Sequence, residues 1–253
     1  MHHVLIIGGS DSSCGAGISA DIETLVNLGS HFYVCVTAVT AQKDIAFQKS
    51  LSVDASTIKA QLDSVHGNKI DAVKIGMLPN IETIKIVTEF LGKISCSKIV
   101  LDPVFKSSSG GILCSIESIQ LLKKILLSHV TVLTPNLDEA NILCSSEICD
   151  SENIYNLAEA CINYGSESVL IKGGHSTDAT CKDFLLNSNN KKFTFERERI
   201  PKGTEVRGTG CRLATAIAHF LALGNSNLER AVSNAGDYLH QYIIKKVSES
   251  NDS

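Results

Sequence analysis

The sequence predicts a single α/β domain built on a mostly parallel sheet with helices on both faces. Short runs rich in β-branched residues alternate with amphipathic stretches along the whole chain, and no linker-like tract divides its 253 residues. This alternation is typical of a parallel sheet that is covered on both sides. Hydrophobic residues make up 43% of the chain and charged residues 20%, as in ordinary globular proteins. We therefore expect one three-layer α/β/α domain over residues 1–253.

The N-terminal half predicts a series of strands, each of them a short apolar run. These strands are Val4–Gly8, Phe32–Val39, Ala72–Ile75 and Lys98–Leu101. The stretches that follow them carry apolar residues at helical spacing. The helices that this spacing predicts are Ile18–Leu28, Ser56–His66, Ile81–Leu91 and Ile116–Leu127. Gly29 is expected to end the first helix, because glycine readily adopts the left-handed conformation that closes helices.

The C-terminal half continues the alternation and then changes to an antiparallel pair. Its predicted strands are Thr131–Leu133, Ser168–Ile171, Asp183–Leu186 and Lys192–Glu196, the last two joined by the polar turn Asn187–Asn190. Its predicted helices are one that begins at Asn136, then Asn153–Tyr164, Gly208–Leu223 and Asn227–Lys246. The last residues, Ser248–Ser253, are expected to fray.

Polar side chains that can bind or react follow these strands at the point where each strand ends. They are Gln42, Asp102, Asn136, Glu139, Lys172 and the loop Gly208–Cys211. The carboxyl ends of parallel strands meet at one edge of a sheet, and ligands bind at that edge. We therefore expect these groups to converge on one site.

The loop Gly208-Thr209-Gly210-Cys211 runs directly into a long predicted helix. The first turn of a helix leaves amides without partners and carries the positive end of the helix dipole. The two glycines let a phosphate approach the backbone, so the loop predicts an anion site. The alternative is a plain glycine-rich turn in which Thr209 caps the helix. Cys211 favours a functional role, because a thiol at a helix N-terminus is expected to have a lowered pKa and to act as a base or nucleophile.

Asp102, Glu139 and Lys172 supply other groups that phosphoryl transfer needs. Carboxylates suit a water-coordinated Mg²⁺, and a lysine together with backbone amides suits phosphate oxygens. Each residue also has a structural interpretation: Asp102 can end a turn, Glu139 can stabilise the first turn of a helix, and Lys172 can be solvated. Their joint placement beside the anion loop favours phosphoryl transfer.

Composition disfavours several classes of protein. The net charge of −4 gives no basic surface for nucleic acid or for an anionic membrane. No apolar run reaches transmembrane length, and the N-terminal run is too short for an export signal. The nine cysteines are odd in number and dispersed, without a C-x-x-C pair. We therefore expect reduced thiols and a cytoplasmic protein.

Gly9–Gly17 is a loop rich in glycine and serine. Gly15–Ala20 matches a loose dinucleotide-binding fingerprint, but its glycines lie beyond the turn that follows the first strand. The second strand also lacks the carboxylate that the fingerprint needs at its end, so we reject this interpretation. The composition instead predicts a mobile loop that closes over a small substrate, with a simple surface loop as the alternative.

A series of short motifs runs over roughly residues 4 to 225. They are Gly9–Ser12, Gly15–Ile18, Ala20-Asp21, Thr40–Gln42, Lys74–Leu78, Asp102–Val104, Thr134–Leu137 with Glu139-Ala140, Lys172–His175 and Gly208–Cys211. In this order they resemble the hydroxymethylpyrimidine/phosphomethylpyrimidine kinases of thiamine biosynthesis, a family of the ribokinase superfamily. The resemblance implies a ribokinase-like fold and phosphoryl transfer from ATP, first to the hydroxymethyl group of an aminopyrimidine and then to the monophosphate.

The resemblance also implies roles for individual residues. Gln42 would hydrogen-bond the pyrimidine ring through its amide. The remaining assignments are Gly9, Asp21 and Met77 to the pyrimidine pocket, Asp102 and Glu139 to water-coordinated Mg²⁺, and Lys172, Asn136 and Thr209 to the nucleotide. Cys211 stands where sugar kinases of the superfamily carry an aspartate base. It would accept the alcohol proton, while Gly208, Thr209 and Gly210 stabilise the transferring group.

The sequence departs from the family pattern around the anion loop. Arg207 and Arg212 flank it, and they either strengthen anion binding or face solvent. The start of Phe105–Gly111 also differs from the pattern. Pyridoxal kinase of the same superfamily is the nearest alternative function, and a non-catalytic pyrimidine-binding regulator is another. A homodimer is expected from the resemblance alone.

Overall fold

A computed structural model describes residues 2–43, 46–106, 111–145, 154–174, 179–224 and 227–251. The side chains at positions 42, 43, 46, 47 and 251 lie outside the described part. The strands described form one sheet. They are β1 (His3–Gly9), β2 (His31–Lys43), β3 (Ala46–Ser52), β4 (Ala72–Ile75), β5 (Ile99–Leu101), β6 (Val132–Leu133), β7 (Ser168–Ile171), β8 (Thr180–Asn187) and β9 (Lys192–Glu198).

The strand order in this sheet is β3-β2-β1-β4-β5-β6-β7-β8-β9. Strand β1 pairs in parallel with both β2 and β4, and parallel pairing continues through β5, β6 and β7. The pairs β2–β3, β7–β8 and β8–β9 are antiparallel. The predicted mostly parallel sheet is therefore confirmed. The chain moves outward from β1 in both directions, which opens a crevice at the carboxyl end of the strands beside β1.

Helices cover both faces of the sheet. They are α1 (Gly17–Leu28), α2 (Ala55–Val65), α3 (Ile81–Leu91), α4 (Ile116–Leu121), α5 (Leu137–Cys144), α6 (Ile154–Ile162), α7 (Thr209–Ala222) and α8 (Leu228–Asn251). Because side chains alternate along a strand, Leu5 and Ile7 of β1 join the core under α2 to α6, whereas Val4 and Ile6 join the core under α1, α7 and α8. The predicted three layers are confirmed.

Several predicted elements are confirmed to the residue, among them Ala72–Ile75, Ile81–Leu91 and Ser168–Ile171. Gly29 ends α1 in the left-handed conformation, with φ of 74°. The prediction of one continuous α-helix over Ile116–Leu127 is wrong in its second half. Helix α4 stops at Leu121, and a π-helical turn and then a 3₁₀ turn continue to His129. These turns still bury the leucines at positions 122, 126 and 127 against the sheet.

The predicted second strand is too short. Strand β2 continues to Lys43, because Ala38 to Lys43 pair antiparallel with β3, which the residue pattern did not predict. Gln42 therefore lies inside β2 and not beyond its carboxyl end. Polar residues at positions 48 to 50 interrupt the apolar alternation of β3, and most of that strand is solvent-exposed where its side chains are described. A strand without a buried face has little pattern to predict it.

The C-terminal helix is longer than expected. Residues 248 to 251, predicted to fray, belong to α8. Lys246 Nζ donates to Glu249 Oε2 at 3.0 Å, and Ser248 Oγ donates to the carbonyl of Ile244 at 3.0 Å, so side chains stabilise this last turn.

No helix in the described part of the chain combines the length and apolarity needed to cross a membrane. Asn153, residues 107–110 of Phe105–Gly111, His175 and residues 252–253 lie outside the described residues.

Candidate active site

A cavity of about 700 Å³ lies at the carboxyl ends of the central strands, in the crevice beside β1. Its walls contain most of the predicted site residues. These are Gly9, Asp21, Met77, Asp102, Asn136, Glu139, Lys172, Gly208, Thr209, Gly210 and Cys211. The structure therefore brings these residues together in one place. The side chain of Gln42 lies outside the described part of the chain, so its place in this cavity stays a prediction.

The N-terminus of α7 forms one wall of the cavity. Gly208 is the N-cap residue and has a left-handed conformation, with φ of 69°, and no side-chain hydrogen bond caps this end of the helix. Thr209 is thus the first helical residue, and its interpretation as an ordinary cap is wrong. Because the N-cap residue has no side chain to accept from the amides of the first turn, these amides are available to an anion in the cavity.

Lys172 lies at the centre of the cavity's charged groups. It follows β7 directly, and its Nζ donates to Asp102 Oδ1 at 2.7 Å and lies 3.7 Å from Glu139 Oε2. Burial would lower the pKa of Lys172, but the two carboxylates outweigh burial and raise it above its ordinary value. A Cβ on Gly210 would lie 3.1 Å from Lys172 Nζ, so glycine lets the ammonium approach the helix mouth. The cation and the first-turn amides therefore face the same space.

Asn136 and Glu139 form a capping box at the start of α5. Asn136 Oδ1 accepts from the Glu139 amide at 2.8 Å, and Glu139 Oε2 accepts from the Asn136 amide at 2.7 Å. Glu139 thus has the structural role that the sequence suggested as an alternative, and it also faces Lys172. Burial, with a smaller contribution from the charge of Asp102, raises the pKa of Glu139 to about 7 against the opposing charge of Lys172.

The predicted low pKa of Cys211 is wrong. Cys211 is the third residue of α7, and burial raises the pKa of its thiol to about 11. Lys74 opposes this rise, Asp102 and Asp21 add to it, and the Gly17 amide donates to the sulfur. The helix dipole favours a thiolate, but the loss of water around the thiol outweighs it.

Asp21 lies in the floor of the cavity, where it is fully buried. Its carboxylate accepts from Lys74 Nζ at 2.9 and 2.7 Å and from Thr215 Oγ1 at 2.7 Å. The predicted pocket residue is therefore half of an ion pair with Lys74, which the sequence reasoning did not assign. The available signal was a lysine in the middle of the apolar run Ala72–Ile75, where a charge needs a partner.

The Gly9–Gly17 loop is held in place by its own hydrogen bonds. Asp11 accepts from the Ser13 amide at 3.1 Å, from Ser13 Oγ at 2.8 Å and from the Ala16 amide at 2.9 Å. A Cβ on Gly17 would lie 2.4 Å from the carbonyl oxygen of Gly9, and a Cβ on Gly9 would lie 2.9 Å from Met77 Sδ. These contacts describe a tightly packed loop in this conformation, and its closure over a small substrate stays a prediction.

Arg207 and Arg212 neither face solvent nor stand free for an anion. Their side chains are 17% and 3% exposed. Arg207 forms an ion pair with Asp11 at 3.1 Å, and Arg212 forms one with Glu23 at 2.5 Å. Both arginines therefore bind protein groups on or beside the Gly9–Gly17 loop, and both interpretations offered by the sequence are wrong for Arg212.

A helix mouth with uncapped amides, a buried lysine between two carboxylates and a thiol share one cavity at the carboxyl edge of the sheet. This fold and site define a small-molecule kinase with a ribokinase-like fold. Comparison with known families agrees: the model of the family described as phosphomethylpyrimidine kinase matches residues 11–252. The chain belongs to the phosphomethylpyrimidine kinase family, and it is a phosphotransferase.

Individual relatives support this assignment. The chain is 36% identical to a hydroxymethylpyrimidine/phosphomethylpyrimidine kinase of Haemophilus influenzae, over 94% of this chain and 90% of the relative. A crystal structure of phosphomethylpyrimidine kinase from Clostridium difficile 630 has 31% identity and a TM-score of 0.83, covering 96% of this chain and 100% of the other. Pyridoxal kinase from Staphylococcus aureus in complex with AMP-PCP and pyridoxal has 26% identity and a TM-score of 0.84, covering 95% and 87%.

Proposed function

We propose that this kinase phosphorylates 4-amino-5-hydroxymethyl-2-methylpyrimidine with ATP and then phosphorylates the monophosphate to the diphosphate, as a step of thiamine biosynthesis. One observation carries the proposal: the uncapped amides of α7, Lys172 and Cys211 line one cavity. The names of the relatives support the pyrimidine as substrate. The cavity, about 700 Å³, has the size of a small-ligand site.

In the proposed reaction, the alcohol oxygen of the pyrimidine attacks the γ-phosphorus of ATP and the bond to the bridging oxygen breaks, which releases ADP. The amides of Thr209 and Gly210 hold the transferring group, and Lys172 offsets its negative charge. Cys211 accepts the alcohol proton. Because the pKa of Cys211 is about 11, its thiolate is scarce at neutral pH, so a reaction that depends on the thiolate accelerates as the pH rises.

Asp102 and Glu139 are the residues that fit a Mg²⁺ ion on the nucleotide. Mg²⁺ takes oxygen ligands and keeps several waters, so two carboxylates beside a phosphate site suffice. Asp102 Oδ1 and Glu139 Oε2 face Lys172. The second oxygen of each carboxylate is the one that would hold water ligands of the ion. No cluster of three or more His, Cys, Asp or Glu side chains suited to a metal occurs among the described residues. When bound, the ion would offset the phosphate charge.

On the acceptor side, the pyrimidine ring lies against Gly9 and Met77 and hydrogen-bonds Gln42, with Asp21 beneath it. The bulge between Ala41 and Gln42 supports this role, since a bulge re-aims the strand at the point where β2 leaves the parallel sheet. On the donor side, the side-chain Nδ2 of Asn136 and the hydroxyl of Thr209 contact the nucleotide. These assignments rest on the family resemblance and on the cavity that lies between β1, β4 and α7.

The deciding experiment is a turnover assay with ATP, Mg²⁺ and either the pyrimidine alcohol or its monophosphate. We expect turnover of both. Cys211→Ala should lower kcat by about two to four orders of magnitude, as expected for loss of a general base. Gln42→Ala should act mainly on KM for the pyrimidine. An unchanged kcat for Cys211→Ala would remove the base assignment.

Pyridoxal kinase is the second candidate, because a pyridoxal kinase of known structure has a TM-score of 0.84 with this chain. Pyridoxal and the pyrimidine alcohol should therefore compete in one assay, and a much higher kcat/KM for pyridoxal would favour the second candidate. A protein that binds the pyrimidine but never hydrolyses or transfers the γ-phosphate of ATP would instead be a non-catalytic regulator.

We further propose a homodimer that works in the cytoplasm. Val39 and Leu51 are paired across β2 and β3, and they are 53% and 67% exposed, so this edge of the sheet offers an apolar contact to a second copy. The eight cysteines that the structure describes are all free, as a reducing compartment would require. Light scattering in solution would measure the oligomeric state.

A further inference from the structure

Arg212 places a positive charge at the positive end of a helix. It is the fourth residue of α7, and its side chain is only 3% exposed. The helix dipole disfavours a cation in the first turn. A buried guanidinium also loses its water and must find acceptors for its donors. The contacts of Arg212 must therefore outweigh two unfavourable effects.

The guanidinium is held by a carboxylate and an aromatic ring from two other helices. Its Nη2 donates to Glu23 Oε2 at 2.5 Å, and Glu23 also accepts from Tyr242 Oη at 3.2 Å. The guanidinium carbon lies 4.4 Å from the centroid of the Tyr242 ring. Glu23 belongs to α1 and Tyr242 to α8, so the charge of Arg212 ties three helices together on one face of the sheet.

The other end of the guanidinium joins two segments of backbone. Arg212 Nη1 donates to the carbonyl oxygen of Gly15 at 3.0 Å and to that of Arg207 at 3.1 Å. Gly15 belongs to the Gly9–Gly17 loop, and Arg207 precedes the helix mouth. One nitrogen therefore fixes the loop against the segment that leads into the anion loop.

This contact reaches the reacting groups through the loop. The Gly17 amide donates to the sulfur of Cys211. A Cβ on Gly208 would lie 2.3 Å from the Gly15 carbonyl oxygen and 2.6 Å from Arg212 Nη1, so loop and helix mouth are packed as closely as glycine permits. A shift of the loop would move both the thiol's hydrogen-bond donor and one wall of the substrate pocket.

Arg212 does not reach the phosphate site itself. Among the described residues, those lining the main cavity include Arg207 and Cys211 but not Arg212. Arg212 instead faces a second cavity behind the loop, together with Glu23 and Tyr242. Its Nη1 and Nη2 atoms already donate to protein oxygens. Any effect on phosphoryl transfer must therefore pass through the loop.

We propose that Arg212 is a positioning residue, which fixes the Gly9–Gly17 loop on the mouth of α7 and so holds Cys211 and the pyrimidine pocket in their working geometry. The kinetic part of this inference rests on the proposed kinase function. Misplacing reacting groups by about 1 Å can cost on the order of a hundredfold in rate. Of the groups proposed for the nucleotide, Lys172 follows β7 and Asn136 caps α5, so neither lies on the Gly9–Gly17 loop, and Thr209 is held by α7 itself.

The kinetic test uses Arg212→Met, with Arg230→Met on the exposed surface of α8 as the matched control. For Arg212→Met we expect kcat to fall about 10- to 100-fold and KM for the pyrimidine to rise, with KM for ATP unchanged within about twofold. Arg212→Lys should be intermediate, because an ammonium can pair with Glu23 but cannot present the same fork of donors. Added ethylguanidinium should restore part of kcat to Arg212→Ala and none to Cys211→Ala.

A second measurement needs no turnover, so it separates failure of this inference from failure of the proposed function. Alkylation of the apoprotein by iodoacetamide is followed by mass spectrometry at two cysteines. Cys96, which is partly exposed between α3 and β5 and lies outside the Gly9–Gly17 loop, is the internal reference. In Arg212→Met we expect alkylation of Cys211 to increase by about tenfold relative to Cys96, because a displaced loop leaves the thiol more accessible to the reagent.

Two results would overturn the inference. One is a folded Arg212→Met enzyme whose kcat and relative Cys211 alkylation both match the wild type. The other is a loss of activity in equal proportion to the folded fraction, with both KM values unchanged. If Arg212→Met does not fold, Arg212→Lys and Glu23→Gln carry the same measurements and the same criteria.

Discussion

Replacing Lys74 by methionine tests how strongly the floor of the site depends on a buried ion pair. Lys74 and Asp21 are 1% and 0% exposed, and their closest atoms are 2.7 Å apart. The substitution leaves the Asp21 carboxylate buried with Thr215 as its remaining described donor. Breaking one half of such a pair costs about 3 to 5 kcal/mol, which lowers Tm by roughly 6 to 20 °C in a chain of this size.

Differential scanning calorimetry from pH 4 to pH 8 would measure this loss. Burial raises the pKa of Asp21, and without Lys74 that pKa rises further. A carboxyl group with a raised pKa in the folded state favours folding when it is protonated. Its contribution to the free energy of unfolding is therefore complete below the pKa of the unfolded state, and it is lost as the pH rises through the pKa of the folded state. The difference in Tm between Lys74→Met and wild type should therefore narrow towards pH 4.

Two variants complete this test. Lys59→Met removes a still shorter ion pair, with Asp63 at 2.5 Å, whose side chains are 59% and 60% exposed. It should leave Tm almost unchanged, because water solvates the separated charges. Asp21→Asn combined with Lys74→Met should recover part of the lost stability, since no charge stays buried alone. A Lys74→Met protein that melts with the wild type at pH 8 would refute the reasoning.

Two further outcomes follow from the helix mouth. Gly208→Ala should lower the free energy of unfolding more than Gly29→Ala does, and it should also lower kcat. Both glycines have φ near 70°, but a Cβ at Gly208 would meet Gly15, whereas a Cβ at Gly29 would meet nothing within 4 Å. The left-handed conformation alone costs a non-glycine residue about 1 to 2 kcal/mol at either position. An equal decrease in Tm for the two variants in calorimetry would therefore contradict this packing argument. Alkylation of Cys211 in the apoprotein should accelerate by about tenfold per pH unit up to pH 10, because its pKa is about 11, and a plateau near pH 8 would show a far more acidic thiol.

The parts of this enzyme that the sequence predicted well are those in which burial leaves a local pattern. Strand β4 and helix α3 are short apolar or amphipathic runs with clear ends, and their bounds are confirmed. The position of Lys172 after β7 follows from the same logic, because a parallel sheet collects the ends of its strands at one edge. Such positions need no knowledge of tertiary contacts.

What the sequence could not predict depends on contacts between distant residues. The partner of Lys74 is 53 positions away, and that of Arg212 is 189 positions away, so neither spacing carries a local signal. The helix dipole alone predicts a lowered pKa for Cys211, whereas burial of the thiol in the folded protein raises that pKa. The sequence pattern does not predict strand β3, because this strand is defined by its hydrogen bonds to β2, and its described side chains form no buried face that would leave an apolar alternation.

Because side chains alternate along β1, the sheet carries a separate hydrophobic core on each face, and each core with its helices forms one half of the molecule. Cys211 and the first-turn amides of α7 come from the half that contains α1, α7 and α8, whereas Glu139 comes from the half that contains α5. The proton acceptor and the ion-binding carboxylate that we propose are thus anchored on opposite faces of the sheet, and the strands between them set the distance that separates the two groups. We therefore expect a substitution that repacks one face of the sheet to reach the groups on the other face only through a change in the strands that both faces share.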